Sequence, residues 1–226
     1  MSAVRTPMRA PSNLRASAGQ PVTRLHGDEG SVLIETAFVA PVLLIFFLAM
    51  IEFGMFFRDS STANSAVFDG AKFAAIQGPL LSSGQTADYT AFKAIRENLA
   101  GIKVEWVSRV VIFKAGPSSL GSPMAQVSSA CKTSGVSVIG SCNVYLAPNA
   151  FIQFVGGNAN YFRCVTTGDP ACGWDPEDRA NGPKVADIEY LGVYIKINRP
   201  TITGLIKTTK TLETAAIQRL EPGVLK

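Results

Sequence analysis

The chain has 226 residues, of which 47% are hydrophobic and 17% charged, and its formal net charge is +4. This length accommodates one compact domain in addition to a leader and a membrane helix. The basic residues beyond position 30 are scattered rather than clustered with aromatic side chains, which argues against a nucleic-acid partner.

The N-terminal segment is predicted to be a basic, unstructured leader. Residues 1 to about 26 are rich in Ser, Ala, Pro and Arg and show no apolar periodicity, so they are predicted to be disordered. Basic residues next to a spanning helix keep that end of the helix in the cytoplasm. The sequence therefore predicts a cytoplasmic N-terminus and an exported C-terminal portion. The arginines behind this prediction are Arg5, Arg9, Arg15 and Arg24.

The segment from Gly30 to Phe57 is the only strongly apolar one of membrane length. Glu35 and Glu52 bracket sixteen uncharged residues, which cover roughly 24 Å as a helix, against about 30 Å for the hydrocarbon core of a bilayer. The span must extend past both acids, so each carboxylate is expected near a membrane interface, where a charge costs least. Pro41 removes one helical hydrogen bond and is predicted to kink the helix within the bilayer.

The helical pattern continues beyond the apolar segment. Small apolar residues recur at helical spacing up to Gln77, and Gly78-Pro79 then ends the pattern. A single helix of about 47 residues, roughly 70 Å long, is predicted. The recurring residues are Ala63, Ala66, Val67, Ala71, Ala74 and Ala75.

The remainder predicts a small α+β domain. A second helix is expected around Tyr89 to Leu99, ended by Gly101. Strands are expected near 104–113, 151–155, 188–197 and 207–220, and most of 116–184 is expected to be irregular. Two helices before a mostly antiparallel sheet give the α+β class.

Four cysteines in the exported portion predict disulfides. They are Cys131, Cys142, Cys164 and Cys172, and three pairings are possible. Pairing of sequence neighbours, Cys131–Cys142 and Cys164–Cys172, is favoured, and each short loop would stabilise the fold by about 2–3 kcal/mol. A zinc site is the disfavoured alternative, because the sequence has no C-x-x-C pair and its only histidine, His26, precedes the apolar segment.

Catalytic and metal sites are not predicted. The exported portion lacks histidine, and the chain has no G-x-S-x-G, H-E-x-x-H or phosphate-loop motif. The acidic residues near the last two cysteines are more consistent with a solvated loop than with a calcium site, since Pro170 and Pro176 interrupt their spacing. No catalytic residue, cofactor or metal is therefore expected.

The string Gly30-Ser-Val-Leu-Ile-Glu35 resembles a prepilin-type leader: a basic segment, a glycine, and a glutamate five residues later at the head of an apolar helix. The resemblance implies cleavage between Gly30 and Ser31 by prepilin peptidase, a membrane aspartyl peptidase acting on the cytoplasmic side. The new amine could then pair with Glu35, which lies one helical turn along, or with the same carboxylate of a neighbouring subunit. The alternative is that Gly30 caps the helix and Glu35 is an ordinary interfacial acid.

Further strings resemble the TadE-like family, minor pilin-like proteins of tight-adherence (Flp) pilus systems. They are Pro41, Glu52-Phe53-Gly54, Gly70-Ala71-Lys72, Asp187-Ile-Glu-Tyr-Leu-Gly-Val-Tyr-Ile-Lys196 and Arg219-Leu-Glu-Pro222. Lys72 stands where arginine is common in the family. The leader is also long, which makes Met8 an alternative start.

The resemblance implies a non-enzymatic pseudopilin-like protein of the bacterial inner membrane, acting in pilus assembly or as a minor pilus component. Its expected partners are the membrane, prepilin peptidase, other pilins or pseudopilins, and the assembly machinery. The expected layout is a leader at 1–30, a transmembrane and amphipathic helix at 31–78, and a periplasmic or extracellular α+β domain at 79–226. The alternative function is an uncleaved single-pass anchor with an extracytoplasmic binding domain.

Overall fold

The computed structural model describes residues 29–77, 84–116, 127–179, 189–202 and 209–220. The chain forms two compact units, Met1–Phe46 and Phe47–Lys226. Residues 1–28 of the predicted leader, Gly78-Pro79, Asp187 and Glu221-Pro222 lie outside the described residues.

The first described element is α1, a single helix of 49 residues from Glu29 to Gln77 that continues through Pro41. In the first unit its large apolar side chains are exposed, among them Phe38 at 75% and Leu44 at 61%. Among the described residues of this unit, nothing packs against these side chains, and a helix that is apolar on all sides is typical of a membrane span. The predicted long N-terminal helix is confirmed.

The second unit contains a four-stranded antiparallel sheet with strand order β2-β1-β3-β4. The strands are β1 (Val107–Ala115), β2 (Cys142–Leu146), β3 (Tyr190–Pro200) and β4 (Thr209–Arg219). The β-branched and aromatic residues of β1 and β3 favour the pleated conformation of these two central strands. With α1, the sheet confirms the predicted α+β class.

The described ranges also contain three shorter α-helices that pack around the sheet: α2 (Ala87–Asn98), α3 (Ser129–Thr133) and α4 (Asn149–Val155). The Thr86 side chain accepts a hydrogen bond from the Tyr89 amide and so caps the first turn of α2. Single 3₁₀ turns lie at Val104–Trp106, Ala159–Phe162 and Pro170–Cys172.

Alternation along the strands gives each face of the sheet its own core. One face packs with α1 and α2, and this larger cluster includes Val110, Val193, Ile195, Phe92 and Ile95. The opposite face forms a smaller cluster around Val111, Phe113, Val144 and Tyr194, near α3. The second half of α1 is therefore part of the domain core.

The prediction of a strand at 151–155 is wrong, because these residues lie in the helix α4. The run Phe151-Ile-Gln-Phe-Val is apolar, and a short apolar run does not separate a strand from a buried helix. Pro148 just before the helix and Gly156 just after it are the boundary signals that favour the helix. The sequence interpretation also left β2 unassigned within the stretch expected to be irregular.

Candidate functional site

The predicted processing residues lie in the first turns of α1 and are exposed. The Ser31 hydroxyl donates to Glu35 Oε1 over 3.4 Å, as expected for residues four apart on a helix. Among the described residues, no other group lies within 4 Å of the position that a Cβ on Gly30 would take. The segment around the predicted cleavage point is therefore open to solvent or to another protein.

Within the described residues, α1 is the one helix long and apolar enough to cross a membrane. Its exposed apolar side chains occur on every side of the helix from Val32 to Ile51. Pro41 lies inside this part of the helix. Exposure of such side chains in all directions is the property expected of a lipid-facing helix, and it indicates a single-pass membrane anchor.

Glu52 differs from the residues before it because the domain covers it. Its side chain is buried, and its Oε1 lies 3.9 Å from Lys210 Nζ on β4. The same ammonium group is 5.5 Å from the centre of the Phe56 ring, one turn further along α1. Glu52 therefore faces Lys210, a cation of its own domain. The sequence analysis did not identify Lys210 as its partner.

Asp59 repeats this arrangement two turns further along the helix. It is 2% exposed, and its Oδ2 lies 2.6 Å from Arg199 Nε on β3, while Arg58 contacts the other oxygen at 3.1 Å. Arg199 also lies over the Trp106 ring, 5.8 Å from its centre. A buried carboxylate requires such compensation, because an uncompensated charge in the interior is strongly destabilising.

Beyond Asp59 the same side of α1 carries small residues. Gly70 allows α1 to approach α2, since a Cβ at this position would lie 2.7 Å from Ile95 Cγ1. Gly54 is the opposite case, because it is exposed and no described atom lies within 4 Å of the position that a Cβ would take there. The buried small residues are Ala63, Ala66, Val67, Ala71, Ala74 and Ala75.

A second buried polar cluster centres on Asp88 of α2. Asp88 Oδ1 lies 2.5 Å from Arg179 Nη1, and Oδ2 accepts hydrogen bonds from Tyr145 and Asn143 at 2.7 and 2.8 Å. Arg179 also lies over the ring of Trp174, at 4.2 Å. Burial, and then the charge of Asp88, raise the pKa of Tyr145 well above its ordinary value. The cluster connects α2, β2 and the loop before residue 180, and its core is closed to solvent, which suits a structural role.

The structure contains the two disulfides that the short-loop argument favours. Cys131 pairs with Cys142, which connects α3 to the start of β2, and Cys164 pairs with Cys172. The second bridge closes the loop that leads to Trp174 and Arg179. Both bridges lie in the stretch that contains the short elements α3 and β2, and each closes a short loop there.

The acids near the second disulfide contribute to local structure. Asp169 accepts hydrogen bonds from the amides of Val165 and Thr166, and Glu177 pairs with Arg163 at 2.7 Å. In the ranges that the structure describes, no group of three or more His, Cys, Asp or Glu side chains is arranged to hold a metal ion.

Sequence reasoning missed Asp59, Asp88 and their arginine partners. A signal for Asp59 was present, because positions 52, 59, 63, 66 and 70 follow one helical stripe that continues into the alanines. Arg199 lies 140 residues from Asp59 and Arg179 lies 91 residues from Asp88, and no spacing pattern indicates either partner.

The model of the TadE-like protein family matches residues 30–72. The match confirms the TadE-like resemblance over this segment, which includes Pro41, Glu52, Asp59, Gly70 and Lys72. No match was found among curated proteins or among solved structures. The matched segment therefore contains Glu52 and Asp59, and their partners on the sheet, Lys210 and Arg199, lie outside it.

Proposed function

We propose that this chain, TadE-like over residues 30–72, is a non-enzymatic, pseudopilin-like membrane protein of a tight-adherence (Flp-type) pilus system. The TadE-like family is associated with the assembly of such pili. In this proposal the protein acts in assembly at the inner membrane or enters the pilus as a minor component, and its domain lies on the periplasmic or extracellular side.

The main support for the proposal is that the residues matched by the family model all lie within α1. The matched residues begin at Gly30, include the exposed apolar part of the helix, and end where α1 is buried in the domain core. A pilin-like protein needs this combination, because the apolar part must be available to lipid or to other helices while the domain stays attached. The proposed partners are therefore other pilins or pseudopilins and the assembly machinery.

We further propose that prepilin peptidase cuts the chain between Gly30 and Ser31. Supporting this step, both residues are exposed, and the Ser31 side chain already reaches the Glu35 carboxylate. Cleavage would place an amine on residue 31 within one turn of that carboxylate. An amine and a carboxylate that pair reduce the cost of holding both charges at the edge of a low-dielectric layer.

The test of processing is the mass of the mature N-terminus. The full chain is expressed in cells with and without an active prepilin peptidase, extracted from membranes and analysed by intact mass and N-terminal sequencing. A start at Ser31 that depends on the peptidase is expected. Gly30→Leu should block the cut, whereas Gly54→Leu, on the same helix, should not. An intact leader in cells with active peptidase would instead support the uncleaved anchor.

The proposed role of Glu35 is tested separately from cleavage. Glu35→Ala is expected to give a protein that is cut after Gly30 but is recovered poorly with other pilins in crosslinked membrane complexes. Glu35→Asp, which keeps the carboxylate, should restore part of the recovery. Wild-type recovery of the alanine variant would contradict an assembly role for Glu35.

A further inference from the structure

An apolar turn at residues 138–141, which we call the Ile139 turn, precedes β2 and protrudes from the domain. The Ile139 side chain at its tip is 91% exposed. The Gly140 amide donates to the Gly173 carbonyl at 2.6 Å, and the disulfide Cys131–Cys142 fixes the chain on either side of the turn. An apolar side chain on an ordered turn can bind a partner without the entropic cost of ordering a flexible loop.

A cavity of about 490 Å³ lies beyond the other end of β2, between α2 and α4. Its lining is mostly apolar and includes Arg96, Val104, Phe151, Ile152 and Val155. Ile152 and Val155 lie three residues apart on α4, and they are 63% and 60% exposed. A contiguous exposed apolar surface is typical of an interaction site. This α2–α4 cavity is therefore suited to an apolar group of a partner.

The Ile139 turn and the cavity cannot meet within one copy of the chain. The turn ends immediately before Cys142, the first residue of β2, whereas Pro148, which also lines the cavity, follows the last residue, Leu146. A five-residue strand holds its two ends about 13 Å apart. The cavity of one copy is therefore open to the turn of another copy, and such a contact joins two different surfaces.

The surface beside the Ile139 turn is acidic. The loop between Arg163 and Arg179 packs against the turn, since the Ser137 hydroxyl donates to the Pro170 carbonyl at 2.6 Å. Arg163 pairs with one acid of this loop, and Arg179 is buried against Asp88. The exposed charge of the loop is therefore negative. Its acids are Asp169, Asp175, Glu177 and Asp178, with no basic residue between the two arginines.

The surface beside the cavity carries cations. Lys93 and Arg96 are exposed and lie one turn apart on α2. Both line a second cavity of about 380 Å³, next to the first, together with Phe154 of α4; Glu97 lines it too and offsets one of the two charges. Opposite charges therefore favour contact between the turn and the cavity, whereas two acidic loops brought together would repel each other.

We infer that a second copy of this chain inserts its Ile139 turn into the α2–α4 cavity. Ile139 of one copy contacts Ile152 and Val155 of the next, and the acidic loop lies beside Lys93 and Arg96. Each copy carries both surfaces, so the contact repeats from head to tail and gives a ring or an open array. The inference concerns the folded domain and depends neither on cleavage after Gly30 nor on a role in a pilus.

The test is disulfide crosslinking between two variants of the full-length protein in detergent micelles, which leave the domains free to approach from any direction. The four native cysteines are bridged, so an introduced cysteine supplies the reactive thiol. One variant carries Ile139→Cys, and the other, with a tag of different mass, carries Ile152→Cys. In the matched control mixture the second variant carries Ile76→Cys, at a position that is 55% exposed on α1.

The heterodimer linked through positions 139 and 152 is expected to form several-fold faster than the one linked through 139 and 76. Equal rates would overturn the proposed contact. Faster formation of homodimers through position 139 would also overturn it, because the turn would then meet another turn. Faster formation of homodimers through position 152 would show that the cavity pairs with itself, which contradicts insertion of the turn.

A charge exchange between the two copies tests their orientation. Arg96→Glu in the copy with Ile152→Cys should slow the crosslinking several-fold, because the acidic loop of the other copy is then repelled. Asp178→Arg in the copy with Ile139→Cys should restore the rate. Lys72→Glu, at an exposed position of α1, is the control for Arg96→Glu and should leave the rate unchanged. Equal slowing by Lys72→Glu, or no recovery with Asp178→Arg, would contradict the proposed pairing of the two surfaces.

Discussion

The two halves of α1 share one continuous helix but have opposite surroundings. From Val32 to Ile51 the helix exposes large apolar side chains in all directions, whereas from Glu52 to Gln77 it buries one stripe of acids and small residues in the domain. A bilayer surrounds a helix evenly, so a helix that spans it needs apolar side chains on every side. A folded domain contacts one side of a helix, so only that side needs small or apolar residues, and they recur at helical spacing. The change from one pattern to the other occurs at Glu52.

This comparison gives Glu52 a physical role. The sequence placed it at a membrane interface because it ends the uncharged run. In the structure it is the first residue of the buried stripe, and it faces Lys210. Glu52 and Asp59 together attach the domain to the helix at the point where the apolar segment ends.

The largest expected effect comes from breaking the buried pair of Asp59 and Arg199. Asp59→Ala leaves the guanidinium without its buried counter-charge, and the domain should lose about 3–5 kcal/mol of stability. Chemical unfolding of the full chain in detergent, followed by tryptophan fluorescence, measures this loss, since both tryptophans lie in the domain.

The control for Asp59 is the exposed Lys72 on the same helix, and Lys72→Ala should change stability by less than about 0.5 kcal/mol. The double variant Asp59→Ala with Arg199→Ala should lose less than the sum of the two single variants, because the stranded charge is removed. Additive losses would show that the two side chains do not interact.

A smaller effect distinguishes Gly54 and Gly70, two glycines in the second half of the helix. Gly70→Ala places a methyl group against the buried Ile95 and should destabilise the domain by about 1–3 kcal/mol. Gly54→Ala meets no described neighbouring atom, so it should be neutral or should stabilise by about 0.5–1 kcal/mol through helix propensity. The same unfolding assay compares them, and equal effects would contradict the difference between the exposed side and the buried side of the second half of α1.

The smallest expected effect is a pH dependence of the unfolding free energy of the domain. The apolar half of α1 does not share this dependence. The pKa of Tyr145 is raised in the folded state by burial and by Asp88. Its contribution to stability is therefore fully present below its ordinary pKa of about 10 and is lost as pH rises above that value. Unfolding free energy measured from pH 8 to 11 should fall less steeply for Tyr145→Phe than for wild type. Identical slopes would show that Tyr145 is not the group responsible.

Local patterns predicted much of this structure. The apolar composition of 30–57, the alanine spacing to Gln77 and the β-branched runs of β3 and β4 each correspond to an observed element. The pairing of cysteines eight and eleven residues apart follows from short-loop closure. In each case the sequence pattern that predicts the feature lies within a short segment of the chain.

The features that were missed depend on tertiary contacts. α4 was read as a strand because its seven residues are too few to establish a helical period. The partners of Asp59 and Asp88 were not predicted, since Arg199 and Arg179 approach them only after the sheet and loops have formed. The helical spacing of small residues can indicate that an acid in the same stripe is buried. The basic residue that pairs with this acid cannot be identified without the fold.

The comparison between the two halves of α1 is tested most directly by a nitroxide scan along the helix in nanodiscs. Single cysteines from Phe38 to Ile76 are labelled, and collision with dissolved oxygen and label mobility are measured at each. Uniformly high oxygen access is expected through Ile51, followed by a 3.6-residue period with immobilised labels at Ala63, Ala66 and Ala74. A period that extends through the first half, or none in the second, would contradict the account.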